Sequence, residues 1–167
     1  MITFYIDMDD VVADWKGYAR SFFKHDLPKG ERLPESEWSR LKEDQRMYGK
    51  LTLKEGANEL IEWVSNYADQ TGGHVFFLSA IPRGNDMPWA PYDKVLWAQR
   101  YFPRIPVFLG PYSHEKVARC TGPNTILIDD RTSNINQWIE AGGRGHVYKN
   151  WPDCEIWLNN ELSGIIK

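Results

Sequence analysis

Two short stretches of this sequence carry most of its carboxylates that could do chemistry. The first is Asp7-Met-Asp9-Asp10, followed by Val11-Val12-Ala13-Asp14; the second is Asp129-Asp130-Arg131. Each follows a short apolar run, Ile2–Ile6 and Thr125–Ile128, of the kind that forms a strand buried on both faces. Carboxylates brought to one sheet edge repel, so they need a cation or a shared proton. An all-oxygen donor set selects a hard ion such as Mg²⁺, which binds through one or two carboxylates, waters and substrate phosphate. Helix capping explains one aspartate at a strand-to-helix junction, but not two or three at both. Ser79, after the run His74–Leu78, adds a hydroxyl, and Lys116 adds a cation before the fourth strand.

The elements that must position these residues follow from periodicity. Five apolar runs read as strands: Ile2–Ile6, His74–Leu78, Ile105–Leu109, Thr125–Ile128 and His146–Tyr148. Between them, Ala57, Leu60, Ile61 and Val64 follow the i, i+3, i+4, i+7 spacing of a helix face. Tyr92, Val95, Leu96 and Phe102 mark another helix. Ile135, Trp138 and Ile139 mark a third, with Ser133 as its expected N-cap and Gly142-Gly143 as its stop; Asp153 is the expected cap of a last helix through Ile156 and Trp157. Strands alternating with helices predict an α/β fold with a doubly wound, parallel, five-stranded sheet. Open sheets of this kind bind ligands at the carboxyl ends of their strands.

One stretch interrupts the alternation. Residues 13–55 read as two helical pieces separated by Leu27-Pro-Lys-Gly30, too long for an ordinary loop and of the length that lids have. The expected organisation is therefore one domain, with a core of residues 1–12 and 56–167 and a small helical cap inserted after the first strand.

Composition agrees with a single globular domain. The 167 residues are 42% hydrophobic and 26% charged, and 20 basic against 23 acidic side chains leave a net charge of -3. That balance argues against binding a nucleic-acid polymer, whose affinity rests on many phosphate contacts, while leaving room for a small phosphorylated substrate. No apolar run approaches the ~20 residues of a membrane span, so no membrane partner is expected. The opening Met1–Ile6 segment lacks a basic leader and a small-residue cleavage site, and only Cys120 and Cys154 are present, so a reducing, cytoplasmic setting is expected. A homodimer is compatible with the sequence.

In chain order the set Asp-x-Asp, Ser, Lys, Asp-Asp, each at or just before a strand end, resembles the four motifs of the haloacid dehalogenase (HAD) superfamily of phosphotransferases. The run Asp7–Trp15 is similar to the opening of its 5'(3')-deoxyribonucleotidase family. So are His74–Ser79 leading to Pro91-Tyr92-Asp93-Lys94 with Trp97, Tyr101 and Phe102, and Leu127-Ile-Asp-Asp-Arg131. Two departures stand out: Asp10 occupies a position where that family normally has Gly, and the insertion is shorter than the family's cap.

The resemblance implies a HAD-like Rossmannoid core and a Mg²⁺-dependent phosphatase of nucleoside monophosphates. Asp7 would be the nucleophile that forms an aspartyl-phosphate, and Asp9 the general acid and base. Asp7, Asp9 (through its main-chain carbonyl), Asp129 and Asp130 would hold the metal. Ser79 and Lys116 would bind the transferring phosphoryl oxygens. Trp15, directly after the acidic loop, is the one tryptophan expected to stack on a base; Trp63, Trp97, Trp138 and Trp157 read as core. Three alternatives remain at this level: a HAD phosphatase for another small phosphorylated metabolite, a receiver-like signalling domain, and a non-catalytic phosphate-binding module.

Overall fold

Each of the five strands pairs through its backbone with a parallel neighbour, giving the order β3-β2-β1-β4-β5. The strands are β1 (Thr3–Ile6), β2 (His74–Ala80), β3 (Val107–Gly110), β4 (Thr125–Asp129) and β5 (Arg144–Val147). The computed structural model describes residues 1–25, 33–83, 86–110 and 112–163; the separator Leu27–Gly30 lies outside them. The helices are α1 (Trp15–Phe23), α2 (Glu35–Leu41), α3 (Met47–Lys50), α4 (Ala57–Thr71), α5 (Ala90–Tyr101), α6 (Thr132–Glu140) and α7 (Trp151–Leu162). A 3₁₀ segment, Ser113–Arg119, lies between β3 and β4. The doubly wound parallel α/β fold expected from the sequence is the fold observed. Among the described residues no helix is long and apolar enough to cross a membrane.

Side chains alternate across the pleat, and both faces are covered. Phe4 and Ile6 of β1, with Ile126 and Ile128 of β4, join the larger core, while Tyr5 and Leu127 turn to the other face and pack with Ile135 and Trp138 of α6. The register aligns Ile6 with Phe77 on one side and Ile128 on the other. The residues that follow, Asp7 after β1 and Asp129 at the end of β4, therefore emerge level at the carboxyl edge. The Asp7 N–H donates to the Ile128 carbonyl at 2.9 Å, extending the ladder by one bond.

Helix α4 buries Ala57, Leu60, Ile61 and Val64 as its spacing predicts, and Gly72 closes it in the left-handed region (φ 69°). Helix α5 is rotated from expectation. Its buried stripe is Ala90, Asp93, Lys94, Trp97 and Ala98, whereas Tyr92 is 55% and Leu96 37% exposed. Two charged residues occupy the inward face because both have partners there. Helix α6 starts at Thr132 after Arg131, not at a Ser133 cap, because Asp129 accepts the Arg131 N–H at 2.9 Å and turns the chain at once. Ile139 faces outward, half exposed. In α7, Asn150 accepts the Asp153 N–H at 3.0 Å, so Asp153 is capped and Asn150 is the cap. Strand β5 begins two residues earlier than its apolar run, since Arg144 and Gly145 pair with Ile126 and Leu127 through the backbone.

Helices α1–α3 all come from residues 13–55. The two ends of that stretch are tied together beside the acidic loop: the Asp14 N–H donates to the Thr52 carbonyl at 2.9 Å, and the Lys54 N–H to Val12 at 2.8 Å. Further out, Arg46 binds both oxygens of buried Asp93 on α5 at 2.6–3.1 Å and lies over the Trp89 ring, clasping the α3 side to α5.

Trp138 is fully buried against Tyr5. Trp138→Ala should cost about 3–5 kcal/mol, read as a fall in thermal midpoint of roughly 10 °C.

Candidate active site at the carboxyl edge of the sheet

The site is built around a lysine between two strand ends. Lys116, buried in the 3₁₀ segment, places Nζ 2.7 Å from Asp7 Oδ1 and 2.6 Å from Asp129 Oδ2. Asp129 is fully buried and held on both oxygens: Asn134 of α6 donates to each at 3.1 and 2.9 Å, beside the Arg131 N–H. Although Asp129 stands at a strand end, the residues of the next loop and helix fold back over it. Burial pushes the Asp7 carboxyl upward, with Asp129, Asp9 and Asp130 adding to the rise and Lys116 opposing it. Burial alone would lower the Lys116 pKa, but Asp129 and Asp7 outweigh it and hold the ammonium firmly charged.

Asp130 completes a cluster. One carboxylate oxygen each from Asp7, Asp129 and Asp130 lies within 4.8 Å of the others. These three oxygens, from two adjacent strand ends, could hold a metal ion.

Asp9 turns elsewhere. Its Oδ2 meets Lys94 Nζ at 2.6 Å, and the same ammonium donates to Ser79 Oγ at 2.8 Å. Lys94 is 1% exposed and sits 4.5 Å from the centre of the Tyr48 ring, which the inserted stretch supplies. The Tyr48 phenol is itself pushed well above its usual pKa, by burial first and then by Asp9. Thus Asp7, Lys116, Asp129 and Asp130 form one group, while Asp9 and Ser79 meet through Lys94. Trp15 is partly buried and packs against the core.

Lys94 stands in the Pro91–Lys94 run, and the sequence alone gives it no role. Its signal was positional: in the Ala90, Asp93, Lys94, Trp97 stripe a lysine occupies an inward place that only a buried acid can justify. Lys16 was missed altogether. It is the second residue of α1, whose first turn carries no acid, and a cation there opposes the helix dipole. Its Nζ lies 3.3 Å from Asp10 Oδ2 and 3.2 Å from Asp130 Oδ2. Asp10 itself has φ 61°, the left-handed region that favours glycine and that Asp tolerates best among bulkier residues. Burial raises the Asp10 pKa to about 6, against the opposing charge of Lys16. A groove of about 470 Å³ near Gly73, His74 and Ile105 lies at the amino edge of the sheet and holds none of these residues.

No protein-family model matches the sequence, and no curated protein matches it. Among solved structures the chain is similar to a hydrolase from Streptococcus pneumoniae TIGR4. The TM-score is 0.54 at 16% identity, over 94% of this chain and 97% of the other. That likeness establishes the fold.

Two outcomes follow from these contacts. Asp129→Asn removes a fully buried partner of Lys116 and should destabilise the metal-free protein by about 3 kcal/mol, read by urea titration in EDTA. Asp10 has a folded pKa above its unfolded one, so its ionisation costs stability as pH rises from about 4 through about 6, and the whole cost is present above that. Asp10→Asn should therefore raise the thermal midpoint near pH 8 in EDTA, and the gain should vanish near pH 4.

Proposed function

We propose that this chain is a Mg²⁺-dependent phosphatase of the HAD type that hydrolyses nucleoside monophosphates, 2'-deoxy forms among them, through an aspartyl-phosphate on Asp7. The observation that carries this reading is the arrangement at the end of β1: Asp7 shares Lys116 with Asp129 and lies within one cation's reach of Asp129 and Asp130. Asp7, Asp129 and Asp130, with the main-chain carbonyl of Asp9, are the residues that would hold the metal. Bound there, Mg²⁺ would offset the charge of a phosphate dianion and keep the Asp7 carboxylate ionised.

The protein's own groups divide the work. Asp7 attacks phosphorus in line, forming the Asp7–phosphate bond as the bond to the nucleoside oxygen breaks. Lys116 draws charge from the phosphoryl oxygens as the loose transition state develops. Ser79 and Lys94, already hydrogen-bonded to each other, offer two further donors to those oxygens. Asp9, whose carboxyl group meets Lys94, enters the reaction protonated, gives that proton to the leaving oxygen, and then as the carboxylate takes a proton from the water that hydrolyses the intermediate. Residues 13–55 would serve as the cap, bringing Tyr48 over Lys94 and leaving exposed Trp89 and Tyr92 as the aromatic rim for a base.

The test is phosphate release from a panel of ribo- and deoxyribonucleoside monophosphates with Mg²⁺ and with EDTA. Turnover should require Mg²⁺, vanish in Asp7→Asn, and fall about 10²–10⁴-fold in Asp9→Asn for a nucleotide. The Asp9→Asn loss should be smaller for p-nitrophenyl phosphate, whose leaving group departs as an anion. Full turnover in excess EDTA, or near-normal activity of Asp7→Asn, would overturn the reading.

A further inference from the structure

Lys16 is shared between two carboxylates that differ in kind. Asp130 contributes one of the three oxygens that fit a divalent cation. Asp10 contributes none, yet it is held in place from two sides: its Oδ1 accepts the Lys16 backbone N–H at 2.8 Å and its Oδ2 faces the Lys16 ammonium at 3.3 Å. The ammonium is as near to Asp130, at 3.2 Å. The Lys16 side chain is 44% exposed against 7% for Asp10 and 17% for Asp130, so the lysine is the member with room to move. Lys116, by contrast, is 5% exposed and wedged between its partners. Two cations drawing on one carboxylate repel each other, so charge taken up by Asp130 toward a metal is charge withdrawn from Lys16.

We propose that Lys16 is a built-in competitor of the divalent cation for Asp130, and that Asp10 is the counter-anchor to which the ammonium withdraws when the metal binds. The Asp10–Lys16 pair then sets the metal affinity of the site. This rests on the metal reading above. It gives the acid at a left-handed position a purpose: the Asp10 side chain supplies both the acceptor for the Lys16 backbone N–H in the first turn of α1 and the charge that keeps Lys16 close without leaving it wholly on Asp130.

The proposal makes an opposite-sign prediction that loss of folding cannot mimic. The 167-residue chain, stripped of metal and freed of chelator, is titrated with Mg²⁺ by calorimetry and with Mn²⁺ by the resonance of the free ion. Lys16→Gln should tighten both cations about tenfold and Asp10→Asn should weaken them about tenfold, the scale of one charge acting across a few ångström. With Lys16 already Gln, Asp10→Asn should change affinity less than about threefold, because the competitor is gone. Lys16→Arg keeps the charge and should stay within about threefold of the unsubstituted chain. Lys16→Ala, with melting curves taken without metal, stands in if the Gln variant does not fold. Weaker binding in Lys16→Gln, or additive effects of the two substitutions, would overturn the competition. Failure of the unsubstituted chain to bind either cation would overturn the metal reading and this proposal together.

Discussion

Repulsion among carboxylates is the constraint on which this end of the molecule depends. Asp7, Asp9, Asp10, Asp129 and Asp130 crowd the carboxyl edges of two adjacent strands, three of them buried. Three lysines partition that charge: Lys116 holds Asp7 and Asp129, Lys94 holds Asp9, and Lys16 holds Asp10 and Asp130. A buried pair of this kind contributes little net stability but is costly to break on one side. The arrangement therefore fixes positions more than it strengthens the fold.

The lysines reach the edge from different elements, and each dictates something about its own. Lys16 enters with the first turn of α1, so that helix begins beside Asp10. Lys94 and Asp93 turn the inward face of α5 polar at its start; Asp93 receives Arg46 and Lys94 lies under Tyr48. The inserted stretch is thereby tied to α5 at Lys94, which touches Asp9 and Ser79, and at its neighbour Asp93. Lys116 needs only a short 3₁₀ segment, because β3 and β4 bring its chain to within reach of the strand ends.

Much of this was legible in the residues. The near-continuous apolar strands and the helical face of α4 carry simple periods, and parallel order follows from alternation. The acidic pairs after Ile6 and Ile128 announced themselves because no local need accounts for so many carboxylates. The inward face of α5 was misread, since Tyr92 and Leu96 satisfy an apolar stripe while Asp93 and Lys94 hold the buried one. The caps of α6 and α7 were displaced for a related reason: Asp129 and Asn150 offered the chain a partner earlier than Ser133 and Asp153 did.

By itself, then, the sequence determined the layers of the fold and the strand ends from which its carboxylates emerge, because hydrophobic period and strand order are local properties of the chain. Only the tertiary structure decided which cation meets which acid. Lys16 lies 114 residues from Asp130, and Lys94 lies 85 from Asp9. Nothing in the spacing pairs them, since electrostatic partners are chosen by distance in space and by burial, and both are set only once strands and helices have packed.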